Sequence, residues 1–131
     1  MEQKQRILIQ VKAKSDRHLL EDWLSEKYDI VSARSDELLD ERFDLAIVDG
    51  PSLKQLSGAI RSRRKAEEPV LLPFLLLTIR RSGSRPTRHL GRLVDDLIVR
   101  PIDEHELRSR VSNLLRLRRL RSNSRKNTTA C

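Results

Sequence analysis

Five short apolar segments recur along this chain, and amphipathic segments separate them. The first, third and fourth are nearly continuous in apolar residues, which is typical of strands buried on both faces of a parallel sheet. Strands that alternate with helices through a whole chain predict βαβ units with right-handed crossovers. The five predicted strands are residues 6–11, 28–33, 44–49, 74–78 and 96–100.

The segments between the predicted strands carry apolar residues at helical spacing. Ser15 is predicted to cap the first helix and Ser35 to begin a short second one, while only a weak pattern near 90–93 marks the fourth. Asp103 and Glu106 have the spacing of a capping box at the start of the last helix. The predicted inner faces are Leu19, Leu20, Trp23 and Leu24 in the first helix, Leu38 and Leu39 in the second, Leu53, Leu56 and Ile60 in the third, and Leu107, Val111, Leu114 and Leu115 in the last.

Five such units in 131 residues predict one α/β domain. The expected fold is a flavodoxin-like doubly wound parallel sheet with strand order 2-1-3-4-5 and helices on both faces. We assign this domain to residues 5–121, and 122–131 to a disordered tail or the start of a linker. In such sheets the functional crevice lies at the carboxyl ends of the strands, which directs attention to the residues that follow them: 10–15, 49–52, 78–80 and 100–101.

Composition limits the classes of function. The only cysteine, Cys131, excludes a disulfide framework or a cysteine-based metal site. The longest apolar run, 70–77, is too short to span a bilayer, and the first residues contain no apolar signal region. We therefore expect a cytoplasmic protein without membrane contact. The histidines at 18, 89 and 105 lack the spacing of metal ligands, and no catalytic or metal-binding residue is predicted.

The net charge of +8 is concentrated in basic segments at 61–65, 80–92 and 108–126, the first of which is predicted to end the third helix. Such segments are either solvated faces or contact surfaces for nucleic acid or an acidic partner. The sequence contains one Trp, one Tyr and two Phe, which is too few to build a surface that stacks exposed bases. Nucleic acid is therefore the least favoured partner.

Polar residues end three of the predicted strands. Asp49 follows the third strand, Thr78 ends the fourth, and Arg100-Pro101 ends the fifth. A carboxylate at this edge is able to act as a nucleophile toward phosphorus, and a hydroxyl beside it is able to bind a phosphoryl oxygen.

These segments resemble the receiver domains of response regulators in two-component signalling, over roughly residues 5–120. Residues 44–49 are similar to the third strand of the family, with Asp49 at the position of the phosphoacceptor. Residues 73–78 are similar to the fourth strand, which ends in the hydroxyl residue Thr78. Residues 95–101 are similar to the fifth strand, where the family carries Lys-Pro.

The departures from the family pattern concern the acid pocket. The family ends its first strand with two acidic residues that hold Mg²⁺, and Val11 and Lys12 occupy those positions here. Mg²⁺ requires hard oxygen ligands, and phosphoryl transfer depends on the metal to neutralise developing charge. Lys12 is a candidate partner for Asp49 instead, and so is Arg100, which replaces the family's lysine. Gly50-Pro51 replaces the usual loop after the phosphoacceptor.

Two leucines on the last helix lie outside its predicted inner face. Leu117 and Leu120 are separated by arginines and are expected to be exposed in a monomer. Exposed leucines on a helix indicate a partner contact or a coiled linker, unless the long arginine stems shield them. We interpret them as a partner interface, with a homodimer as one form of it.

These observations predict a non-enzymatic pseudo-receiver without a cofactor. It is expected to act through protein contacts, with a histidine kinase or an output domain as the partner. One alternative is a functional receiver that uses Mg²⁺ and is phosphorylated on Asp49 by a histidine kinase. A further alternative is a basic nucleic-acid-binding protein that uses the arginine-rich segments.

Overall fold

The computed structural model describes residues 4–32, 41–79 and 92–129, with backbone only for residue 32 and for 122–129. The predicted second helix and most of the weak fourth one lie outside the described residues. The elements in chain order are β1 (Arg6–Gln10), α1 (Lys14–Leu24), β2 (Asp29–Ser32), β3 (Leu45–Asp49), α2 (Gly50–Glu67), β4 (Phe74–Ile79), β5 (Asp96–Arg100) and α3 (Glu104–Thr129).

The five strands form one parallel sheet in the order β2-β1-β3-β4-β5. In its centre Ile9 pairs with Ile47 and Ile47 pairs with Leu75, while Leu75 pairs with Asp96 on the edge strand. The predicted doubly wound fold and its strand order are confirmed. Because all five strands run in the same direction, their last residues meet at one edge of the sheet, which we name the carboxyl edge.

Alternation along the strands divides the core into two layers. One layer packs α1 and α3 against one face of the sheet, and the other packs α2 against the opposite face. The central strand β3 is buried along its whole length, as its unbroken apolar sequence predicts. The predicted inner faces of α2 and α3 are fully buried, whereas in α1 Leu20 and Leu24 are buried and Leu19 and Trp23 are half-buried.

Two helix boundaries differ from the sequence expectation. Helix α1 begins at Lys14 after an N-cap at Ala13 that makes no side-chain bond, so the predicted cap at Ser15 is wrong. The helix begins before Ser15 because the carbonyl of Ala13 already accepts the N–H of Arg17 at 3.0 Å, which is the first helical bond. Helix α2 continues through the basic residues to Glu67 instead of ending at 61–65, since Arg64 bonds to Leu93 and Asp95 across the fold.

Helix α3 begins with the predicted capping residue, because Asp103 Oδ2 accepts a 2.8 Å hydrogen bond from the N–H of Glu106. The helix continues to Thr129, so the backbone of 122–129 is helical, and the assignment of 122–131 to a disordered tail or the start of a linker stays a prediction. The domain boundary at Arg121 itself stays a prediction.

Two arginines fix α3 to the rest of the domain. Arg110 binds both carboxylate oxygens of Asp96 at 2.8 and 2.9 Å. The hydrogen bonds to Asp96 raise the pKa of Arg110 above its usual value, partial burial opposes this rise, and one hydrogen bond to Glu106 adds to it. Arg118 donates to the carbonyl of Leu71 at 2.8 Å and lies 3.3 Å from the carboxylate of Asp44. The middle of α3 is therefore held in one orientation against the sheet.

Within the described ranges, no helix is long and apolar enough to cross a membrane.

Candidate functional site

Asp49 ends β3 at the carboxyl edge and at the same time caps α2. One carboxylate oxygen accepts the N–H of Ser52 at 2.9 Å, and the other accepts the N–H of Lys12 at 2.8 Å. Asp49 is only 3% exposed and Ser52 only 1%. Both oxygens of a buried carboxylate are therefore occupied by backbone donors from two different segments, one of which is the start of a helix.

The short connection after Asp49 explains this geometry. Strand β3 ends at Asp49 and α2 begins at Gly50, so no loop separates them. Pro51 lies in the first turn, where its missing N–H leaves no unsatisfied donor. An Asp followed by a proline and then a helix is a recognised N-cap signal, so the capping role was detectable in the sequence. The bond from Lys12 was not, because it joins residues 37 positions apart.

Neither predicted cation neutralises Asp49. Among the described residues, the side chains of Lys12 and Arg100 form no ion pair with it; Lys12 contributes its backbone N–H, and its side chain is exposed. The guanidinium of Arg100 binds α1 instead, with Nε 2.7 Å from Oδ2 of Asp16. The expected Lys12 or Arg100 pairing is corrected, since the Lys12 side chain lies in solvent and Arg100 pairs with Asp16. Asp16 was missed as a site residue because its partner is far away in the chain.

Thr78 and Pro101 lie at the same edge of the sheet. Leu77 pairs with Ile98 and lies beside Asp49 in the register of the sheet, so Thr78 is one residue further along β4. Thr78 is half-buried, and Ile79 after it is 41% exposed. The fold thus brings Lys12, Asp49, Thr78 and Arg100 to one edge, and their roles there stay predictions.

The residues at this edge do not fit a magnesium ion. Val11 is a buried apolar side chain, and the Lys12 side chain is itself a cation. The carboxylate of Asp16 is paired with Arg100, and both oxygens of Asp49 accept backbone N–H groups. Mg²⁺ requires near-octahedral oxygen ligation, usually with carboxylates free to bind it. Across the described segments, no three His, Cys, Asp or Glu side chains are grouped so that they could hold a metal ion.

A cavity of about 480 Å³ lies at the opposite end of the sheet, where β4 and β5 begin. Arg64 and Asp95 contribute to its lining, and they form an ion pair of 2.8 Å. This cavity is remote from Asp49 and contains none of the predicted site residues.

The last helix presents the two leucines that the sequence places outside its inner face. Leu117 is 47% exposed and Leu120 is 55% exposed, so the arginine stems do not cover them. Both lie on the outer side of α3, away from the face that packs on the sheet. Their exposure is confirmed, and their role as a partner interface stays a prediction.

Comparison with known proteins rests on structure, since no family model and no curated protein sequence matches the chain significantly. The signal receiver domain of a signal transduction histidine kinase from Syntrophus aciditrophicus is 29% identical, with 85% of this chain and 89% of that chain covered and a TM-score of 0.61. A response regulator receiver modulated diguanylate cyclase from Pelobacter carbinolicus is 23% identical, with 91% and 98% covered and a TM-score of 0.71. The chemotaxis protein CheY4 of Vibrio cholerae is 16% identical, with 86% and 99% covered and a TM-score of 0.68.

The fold is a doubly wound α/β domain. More particularly, the chain has the fold of the response regulator receiver domains, and the resemblance drawn from its sequence is confirmed.

Proposed function

We propose that this chain is a pseudo-receiver, a non-enzymatic signalling module in which Asp49 holds the fold together instead of accepting a phosphoryl group. Its output is contact with another protein. The observation that carries the proposal is the pair of backbone hydrogen bonds, from Lys12 and Ser52, that occupy both oxygens of the buried Asp49 carboxylate.

Phosphorylation of Asp49 would act against these bonds. An acyl phosphate withdraws negative charge from the carboxyl oxygens, so a bond between charged and neutral partners becomes a weaker one between neutral groups. Bonds to charged groups contribute about 1.5–3 kcal/mol each, compared with about 1 kcal/mol for neutral ones. Modification of Asp49 would thus loosen the start of α2 and the loop after β1, and the new phosphoryl charge would meet no metal ligands beside it.

The surrounding residues support the same proposal. Val11 and Lys12 supply no carboxylate for a metal that would assist the transfer. Arg100, at the position of the family's lysine, is bound to Asp16 at 2.7 Å. A cation committed to α1 is not available to follow a phosphoryl group without breaking that pair.

The test is incubation of the protein with acetyl phosphate and Mg²⁺, followed by intact-mass measurement, with Asp49→Asn as the control. We expect no phosphoryl adduct on the wild-type chain. An adduct that is lost in Asp49→Asn would overturn the proposal and establish the alternative, a working receiver phosphorylated on Asp49. An adduct that persists in the variant would point to modification elsewhere and leave the proposal standing.

We propose that the partner protein binds the outer side of α3 around Leu117 and Leu120. Arg118 and Arg110 fix this helix to the sheet, so the surface is preformed. The partner is a histidine kinase or an output domain, the two classes of protein that receiver domains contact, or a second copy of the chain. A location in the cytoplasm stays a prediction.

A further inference from the structure

The charges around the exposed leucines of α3 favour some binding partners over others. Leu117 and Leu120, which we name the leucine stripe, lie one helical turn apart and are both about half exposed. In the heptad notation of paired helices they occupy positions a and d, which places Arg116 at g and Arg121 at e. Each leucine is therefore flanked along the helix by an arginine.

No carboxylate of the described residues pairs with either of the two flanking arginines. Arg116 is exposed and donates to the side-chain amide oxygen of Asn113 at 3.3 Å. Arg121 is exposed, and neither arginine forms an ion pair with any described residue. By contrast, Arg110 and Arg118 on the same helix are paired with carboxylates of the domain. Within the described part of α3, Arg116, Arg119 and Arg121 are exposed and form no ion pair, and two of these three flank the leucine stripe.

This arrangement disfavours a second copy of the chain as the occupant. In a parallel pair of helices, position g of one helix faces position e of the other, five residues further on, so Arg116 would meet Arg121 on both sides. In an antiparallel pair, each arginine would meet its own counterpart. Like charges face each other in both orientations, and no carboxylate in the described segments pairs with either arginine to offset them.

The leucine stripe is also short. The next positions in the same register are Asn113 on one side and Ser124 and Asn127 on the other. One heptad of apolar contact is too little to hold two helices together by burial alone, since a long run of such positions is needed for a stable coiled coil. Charge pairs at the flanks must then contribute a large part of the binding and of its specificity.

We propose that the leucine stripe binds a helical segment of a different protein, one whose own apolar stripe is flanked by Asp or Glu. The inference rests on the protein-contact output proposed above and names the chemistry of the partner. A partner with acidic e and g positions pairs with Arg116 and Arg121, while its apolar residues cover Leu117 and Leu120. Arg118 holds the helix so that this surface is presented without reordering.

The experiment uses a charge-reversed variant of this chain in place of the acidic partner. The variant Arg116→Glu with Arg121→Glu has the same leucines and acidic flanks, so it serves as the acidic partner. Wild-type protein labelled on Cys131, its only cysteine, is titrated with the unlabelled variant at low salt, and association is followed by fluorescence anisotropy. Circular dichroism establishes that both proteins are folded.

We expect the mixture to associate, while the wild type alone and the variant alone stay monomeric in sedimentation velocity. Raising the salt to a physiological level should weaken the association by about tenfold, because exposed charge pairs are screened. Replacing Leu117 and Leu120 by Ser in the labelled protein should abolish it. The variant Arg119→Glu is the matched control: it reverses a charge on the same helix away from the stripe and should not substitute for the acidic partner.

Other outcomes would overturn the inference. Self-association of the wild type that is lost with the two serines would assign the stripe to a second copy. Binding of the wild type to vesicles of anionic lipid or to duplex DNA, lost with the same serines, would assign it to those ligands. If the mixture stays monomeric at low salt, the leucine stripe does not bind a helix with acidic flanks. The mass measurement on Asp49 is independent of all these results, so a failure here is distinguishable from a failure of the proposed function.

Discussion

Arg100 and Asp16 form an ion pair across the carboxyl edge, with Nε of the arginine 2.7 Å from Oδ2 of the aspartate. Their side chains are 30% and 22% exposed, so the pair is only partly shielded from solvent. It joins the end of β5 to the first turn of α1, and among the described residues Asp49 is bound only by backbone donors. The carboxyl edge is thus built from two separate carboxylate contacts, one to a side chain and one to the main chain.

Replacing Asp49 by Asn should lower the free energy of unfolding by about 1–3 kcal/mol. The amide of Asn offers one acceptor, so its NH₂ group would face a backbone N–H of either Lys12 or Ser52. The loss is measured by urea denaturation at neutral pH.

The matched control is Asp103→Asn, at an exposed N-cap that accepts a single N–H. It should cost only a few tenths of a kcal/mol, because Asn and Asp cap helices about equally well. Equal effects of the two substitutions would contradict the structural role of Asp49.

A double-mutant cycle should detect the contact between Arg100 and Asp16. We expect Asp16→Asn and Arg100→Gln to show a coupling energy of about 0.5–1.5 kcal/mol, since the pair is short but about a quarter exposed. A coupling energy indistinguishable from zero would mean that Arg100 is free at the carboxyl edge.

Removing the contacts that Arg118 makes between α3 and the rest of the domain should destabilise the protein. Arg118→Ala removes the bonds to the Leu71 carbonyl and to Asp44, both half-buried, and should lower the free energy of unfolding by about 1–3 kcal/mol. Arg119→Ala is the matched control, because Arg119 is exposed and has no ion pair in the described part of the chain. The control should change stability by less than about 0.5 kcal/mol. A larger effect of the control would contradict the stabilising role of the Arg118 contacts.

Tyr28 should make stability fall at alkaline pH. Its ring is 7% exposed, and burial raises the pKa of its hydroxyl above the usual value of about 10, although nearby Arg108 and Arg119 oppose the shift. The folded state therefore favours the neutral phenol. The associated stability is fully present below the unfolded pKa and is lost as pH rises through the folded one.

Tyr28 is the only tyrosine, so tyrosinate absorbance reports its titration directly in the folded protein. The midpoint should lie above that of the urea-unfolded chain. Tyr28→Phe should remove this part of the alkaline loss of stability, and an equal midpoint in both states would refute the prediction.

Local patterns in the sequence determined much of the architecture. The five strands follow from runs of apolar residues, and the core face of α3 follows from the spacing of Leu107, Val111, Leu114 and Leu115. Asp103 was recognisable as a cap because its partner is three residues away. These features depend on neighbours close in the chain, and the strand order was expected because five βαβ units in a chain of this length match the flavodoxin-like fold.

The tertiary structure alone decided which groups bond to each other at the carboxyl edge. Asp49 takes the backbone N–H of Lys12 and leaves the ammonium in solvent, while Arg100 turns to Asp16 on another element. The sequence placed Asp49, Lys12 and Arg100 at one edge but left their partners open, because a charged side chain reaches several neighbours from the end of a strand. Only the paths of the connecting loops fix which donor is near enough to satisfy a buried carboxylate, and those paths depend on contacts across the whole chain.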